Sequence, residues 1–239
     1  MSRPAFYALA PGGWRDYMTL LHLPYTAWHL SYVAIGAALA PDPAGRRLLA
    51  ALAAFFLALG IGAHALDELN GRPLSTRISD RALIVLAAGS IGGAVAIGIA
   101  AAVAWTLWLL PFIAVGGFLV VAYNLELFGG FFHTDLWFGL AWGAFPLLTG
   151  YFAIAEKLTA EAVLAAVFAL LTSLAQRKLS TQVRTVRRRV DAVTGAMTMA
   201  DGARREITAD TLIGSPEAAL RLLAAAMVSL AAALLVLRF

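Results

Sequence analysis

Seven stretches of roughly twenty apolar residues follow one another along the chain, near 19–40, 48–67, 82–102, 106–124, 136–155, 160–178 and 216–237. A hydrocarbon core about 30 Å thick takes about 20 helical residues, and within it a segment must satisfy its own backbone hydrogen bonds. The pattern therefore predicts an all-α fold, a polytopic transmembrane helical bundle of about seven spans, as a single domain over residues 1–239. Composition agrees: 61% of residues are hydrophobic and 13% charged, against about 45–50% and about 25% in soluble domains. The chain has no cysteine, which excludes disulfides, thiolate nucleophiles and thiolate metal sites.

The connections at 41–47, 103–105 and 156–159 are short. Those at 68–81, 125–135 and 179–215 are longer and more polar. With seven spans, the longer connections share one side with the N-terminus. Of the 18 Lys and Arg residues, all but Arg46, Arg47, Lys157 and Arg238 fall on that side, Arg3 among them. The positive-inside rule makes it cytoplasmic. The expectation is a multi-pass protein of the cell inner (plasma) membrane with a cytoplasmic N-terminus. Residues 1–18 lack the apolar core of a signal peptide. Their Phe6, Tyr7, Trp14 and Tyr17 suit an interfacial N-terminal segment. In the cytoplasmic basic segment 179–215, Arg184, Arg187 and Arg188 recur at helical spacing. One basic face can meet membrane lipids with anionic headgroups or hold a diphosphate. No nucleic-acid-reading module is present. Within the spans, Gly60, Gly62, Gly89, Gly92, Gly93 and Gly98 suit close helix contact.

The densest chemistry lies at Ala63–Arg81, AHALDELNGRPLSTRISDR, between two apolar runs. Ionisable groups at a membrane boundary are costly to desolvate and mark function. His64, Asp67 and Glu68 stand at i, i+3 and i+4 on one helix face. Two carboxylates so placed suit Mg²⁺, a hard cation that bridges substrate phosphates. Pro73 breaks the helix at Arg72, and Arg72 and Arg77 can fold back over an anion, while Ser79 or Asp80 caps the next span. A second group, Tyr123, Asn124, Glu126, His133 and Asp135, belongs to the same side. Glu126 lies among Leu125, Leu127 and Phe128 and is expected to be partly desolvated. A third, Gln176, Arg177, Lys178, Gln182 and Arg184, is cationic and amide-rich, suited to an anion rather than a metal.

At these residues the chain resembles the UbiA superfamily of intramembrane prenyltransferases. The family's NxxxDxxxD motif and following RP turn are similar to the text from Ala63 through Asp67 to Arg72-Pro73. Tyr123, and the glycine- and aromatic-rich stretch 138–151, are similar to the family's tyrosine after the fourth helix and to its fifth helix. The chain departs at Ala63 and Gly71, where the motif has Asn and its second Asp. It departs again after the sixth span, where Gln176 to Gln182 replaces the second acidic motif. The resemblance implies a bundle with a cavity open to lipid, Mg²⁺ as cofactor, and transfer of a prenyl group from an isoprenyl diphosphate to an aromatic or lipid acceptor.

The expected function is that transfer at a cytoplasm-facing site. Asp67 and Glu68 hold Mg²⁺. His64, Arg72, Arg77, Asp80, Arg177, Lys178, Gln182 and Arg184 form the binding shell. Tyr123 shields a carbocation, and Glu126 or His133 takes the acceptor's proton. Three alternatives use the same residues: an intramembrane terpene cyclase, a non-catalytic protein that binds or carries polyprenyl lipids, and an oxidative metal enzyme built on His64, Asp67, His133 and Asp135.

Overall fold

The computed structural model describes residues 4–239; Arg3, counted above with the basic side, lies outside them. A short helix α1 (Trp14–Leu20) leads into α2 (Leu23–Leu39). Six longer helices follow: α3 (Gly45–Leu69), α4 (Asp80–Ala104), α5 (Leu107–Asn124), α6 (Asp135–Ala155), α7 (Ala160–Arg189) and α8 (Ala209–Arg238). Among the described residues, these six are long and apolar enough to cross a membrane. The first expected span, α2, has 17 residues and lies among them against α6 and α8.

Hydrogen bonds identify the two ends of the bundle. At one end Arg238 donates to the carbonyls of Ala38, Ala40 and Pro41, and Arg47 donates to Ala153 O and pairs with Glu156 at 2.7 Å. At the other, Asn70 donates to Asn124 O, Gln182 to Leu212 O, and Arg187 pairs with Glu217. Near that second end Tyr25, close to the start of α2, packs on Val183 and Ile213, so α2 runs the height of the bundle. The connections thus alternate between ends as the hydropathy pattern requires.

The centre is tightly joined. Trp28, Tyr32 and Tyr151 are fully enclosed, and the Tyr32 hydroxyl bridges to Thr172 and Ser173 of α7. Gly36 and Gly150 set the crossing of α2 with α6. A Cβ at Gly36 would lie 2.1 Å from Leu147 O, and one at Gly150 would lie 2.3 Å from Val33 O. The glycines expected at helix contacts divide: Gly62 and Gly98 are tightly enclosed, whereas Gly89 and Gly92 face open space. Outward faces carry Val85, Val103, Trp108, Leu164, Leu222 and Val236, as a lipid-facing surface should.

Two helices are locally underwound into π turns, Phe56–Ala63 in α3 and Leu140–Ala144 in α6. Such turns shift the side-chain phase and loosen the i→i−4 ladder, and they recur at functional sites. Here each supplies a carbonyl to a histidine: His64 Nδ1 donates to Gly60 O and His29 Nδ1 to Trp142 O.

Two boundaries differ from the sequence reading. Helix α7 continues to Arg189 and α8 already begins at Ala209, so the polar segment shrinks to 190–208. It carries a two-stranded hairpin, Ala196–Thr198 with Arg204–Glu206. Polar arginines extend α7 because they are good helix formers and need no burial.

Candidate functional site: a polar chamber joined to an apolar groove

A cavity of about 280 Å³ opens at the end of the bundle where α3, α5 and α7 terminate. Its wall brings together His64 and Asp67 of α3, Tyr123 and Asn124 of α5, Gln176, Arg177, Arg184 and Arg188 of α7, and His22, Tyr25 and His29 at the start of α2. All four histidines of the chain line it, His133 being the fourth.

Three of the four histidines are held through Nδ1. A backbone carbonyl only accepts, so the Nδ1 atoms of His29, His64 and His133 are donors, to Trp142 O, Gly60 O and Tyr123 O at 2.8, 3.1 and 2.9 Å. A ring held in this way and neutral keeps an Nε2 lone pair for another partner. His22 stacks on His64 with centroids 4.0 Å apart, and His133 stacks on Tyr123 at 4.5 Å.

Among the described residues, three buried side-chain polar atoms have no protein partner: His22 Nε2, Tyr123 Oη and Gln176 Oε1. All belong to residues of this one wall. A buried polar group without a partner costs about 1–3 kcal/mol, so water or a polar ligand in the chamber completes their bonding.

The cations divide into paired and unpaired. Arg177 and Lys178 share Asp135 at 3.2 and 3.1 Å, and the Arg177 guanidinium also lies over the Phe138 ring. Arg187 is forked onto Glu217 outside the chamber. Arg184 reaches only Thr181 Oγ1, and Arg188 only the Pro4 carbonyl; among the described residues neither has a carboxylate within 4.0 Å.

Pro4 belongs to an N-terminal arm whose residues Pro4 to Tyr7 line the chamber. Tyr7 packs on His22 and Tyr25, Phe6 on Tyr25, and Arg221 covers Phe6. Burial, then the neighbouring Tyr25, pushes the Tyr7 hydroxyl well above the usual phenol range. The arm is pinned by Leu9 N–H to Thr19 Oγ1 and Gly12 N–H to Asp16, and Asp16 also accepts from Arg77 N–H. Trp14 and Tyr17 of α1 are the exposed, interface-suited part.

Several expected site residues point elsewhere. Glu68 is fully buried, but its carboxylate accepts from Leu74 N, Thr76 N and Thr76 Oγ1 at 2.8–2.9 Å and holds the 72–76 turn. Arg72 clamps the same turn through Ile78 O and Asp80. Arg77, Asp80, Lys178 and Gln182 are exposed and do not line the cavity. Glu126 lines it but remains more than half exposed, 3.9 Å from His133, so the expected desolvation does not occur. Asp67 is therefore the more enclosed of the two carboxylates lining the chamber, and Asp67 and Glu68 do not face it together. Among the described residues no group of three or more His, Asp or Glu is arranged to hold a metal. His22 and His29 were outside the predicted site, whereas Arg188 was read only as part of a basic face able to meet anionic lipid or hold a diphosphate. The signal that finds them is the rarity of histidine in apolar spans and its repeated placement near one end.

Below the chamber runs an apolar groove of about 120 Å³ between α3, α4, α5 and α6, lined by Phe55, Ile91, Val95, Phe112 and Phe145 and ending at Arg47 and Trp105. Leu59 and Trp142 line both spaces. Polar chamber and apolar groove are thus neighbours across one shared wall, at the level where both π turns occur.

Comparisons with models of protein families, with curated proteins and with solved structures found no match.

Proposed function

We propose that this protein binds an isoprenoid phosphate from within a membrane and transfers its prenyl group to a hydrophobic acceptor, aromatic or lipid. The observation that carries this reading is the junction at Leu59 and Trp142 between a cationic, hydrogen-bonding chamber and an apolar groove. A ligand matched to both has an anionic head and a long apolar tail. Tail burial in the groove contributes about 25 cal/mol per Å² of apolar surface. The head brings acceptors for Arg184 and Arg188.

The chemistry follows from the wall. The allylic C–O bond breaks heterolytically and its electron pair stays on the departing phosphate oxygen. Charge grows there, where guanidinium groups stabilise it more in the transition state than in the ground state. The rings of Tyr123, Phe138 and Trp142 flank the space at the top of the groove and favour an allylic cation. The acceptor's nucleophilic atom bonds to that carbon and loses a proton. The Nε2 atoms of His64 and His133, whose rings are held by their Nδ1 bonds, take it as general bases in this reading.

The test is diphosphate release from farnesyl diphosphate by the protein in vesicles of its own membrane lipids. Release, with the prenyl group recovered on a lipid-soluble product, and its loss by about 10²-fold or more in His64→Gln with His133→Gln, is expected. A second reading, a non-catalytic isoprenoid-lipid carrier, is favoured by the withdrawal of Glu68 into the 72–76 turn. Tight binding with no release under any condition selects the carrier.

A further inference from the structure

We infer that the anionic head is held without a divalent cation, by the guanidinium groups of Arg184 and Arg188 completed by Tyr123 and Gln176. The inference rests on the reading above and specifies how its ligand is recognised.

Arg184 and Arg188 are one helical turn apart on α7, so their side chains project over the same stretch of wall. Two like charges at that spacing repel, and among the described residues every other arginine of this chamber end that is at least half-buried has a carboxylate: Arg72 has Asp80, Arg177 has Asp135 and Arg187 has Glu217. The unpaired couple is the couple that faces the cavity. Among the described residues its hydrogen-bond partners are neutral oxygens, Thr181 Oγ1 and Pro4 O, and the single carboxylate of Asp67 on the same wall, beyond 4.0 Å, faces both cations. A phosphate supplies what the site lacks, an oxygen-rich anion able to take forked bonds from both groups. Tyr123 Oη and Gln176 Oε1, each more than nine-tenths buried and without a partner, lie on the same wall. The hydroxyl can donate to a phosphate oxygen, and the amide can turn its NH₂ toward one.

The acidic side of a metal site is missing. Glu68 is bonded three times within its own loop, and Asp67 faces the chamber with no second carboxylate beside it in a group that holds a metal. Where Mg²⁺ would cancel phosphate charge, two fixed guanidinium groups do so. Because the carbonyl of Pro4 sits on Arg188, the head displaces the tip of the arm when it binds.

The experiment is equilibrium binding of farnesyl monophosphate, farnesyl diphosphate, farnesol and phosphatidic acid to the detergent-solubilised full chain, with Mg²⁺ and with EDTA. Both farnesyl phosphates should bind equally in EDTA and in Mg²⁺. Arg184→Gln with Arg188→Gln should weaken both by about tenfold or more and leave farnesol unchanged. Arg184→Lys with Arg188→Lys should recover part of the loss, and unchanged melting temperatures verify folding. Binding that needs Mg²⁺, or survives the glutamine variant, overturns the inference while leaving the isoprenoid reading intact. Phosphatidic acid binding as tightly as farnesyl monophosphate keeps the arginine site but overturns the isoprenoid ligand. Failure of every farnesyl phosphate in both conditions overturns both.

Discussion

At the scale of single residues, Asp67 and Glu68 are neighbours with opposite fates. Asp67 lines the chamber, whereas Glu68 turns into the 72–76 loop and accepts three hydrogen bonds there. Glu68→Gln replaces an acceptor by an NH₂ group that faces backbone donors. It should lower stability by about 1–3 kcal/mol, read as a lower melting temperature in detergent; an unchanged melting temperature contradicts the loop role. Tyr123→Phe makes the opposite prediction. Its hydroxyl has no partner, so melting should not change, while affinity for farnesyl diphosphate should fall; a marked loss of stability would show a missed bond. The sequence made the acidic pair visible as a cluster. It could not show which carboxylate faces inward, because that depends on helix phase, and the π turn just before His64 changes the phase. Tyr123, Arg177 and Arg184 were identifiable as cationic or aromatic residues at span ends. Gln182 and Lys178, equally polar and adjacent, point outward.

At the scale of elements, α2 and α6 meet through glycine. Gly36→Ala drives a methyl into Leu147 O and Gly150→Ala drives one into Val33 O, both backbone atoms that cannot swing aside. Each should destabilise by at least about 1–3 kcal/mol. Gly89→Ala, with open space at its Cβ, should be neutral or slightly stabilising, since alanine is the better helix former. Equal losses at Gly36 and Gly89 would contradict the observed crossing. Six of the seven expected spans coincide with helices long and apolar enough to cross a membrane, readable from hydropathy because lipid demands long apolar helices. Which glycines touch was not, because these helices are apolar nearly all round and give no preferred face. The arm over the chamber was hidden for a related reason: Phe6 and Tyr7 satisfy a lipid interface and a protein pocket equally well by composition.

At the scale of the molecule, two ends are distinguished by charge and by the chamber. Basic residues concentrate at the chamber end, so the positive-inside rule predicts that it faces the cytoplasm. The absence of native cysteine makes this simple to check. In intact cells Arg46→Cys should react with a membrane-impermeant maleimide, whereas Arg77→Cys and Asp201→Cys should react only after permeabilisation. The reverse pattern inverts the orientation. The account's central claim is that chamber and groove form one site for a tailed anion. Photocrosslinking tests it most directly, using farnesyl diphosphate with a photoreactive group at the tail end and the full chain in lipid vesicles. The account predicts saturable adducts on the α3, α5 and α6 segments around Phe55, Phe112 and Phe145, suppressed by unlabelled farnesyl diphosphate. Adducts confined to the outward faces at Val85, Leu164 or Val236, or labelling that competitor does not suppress, would contradict it.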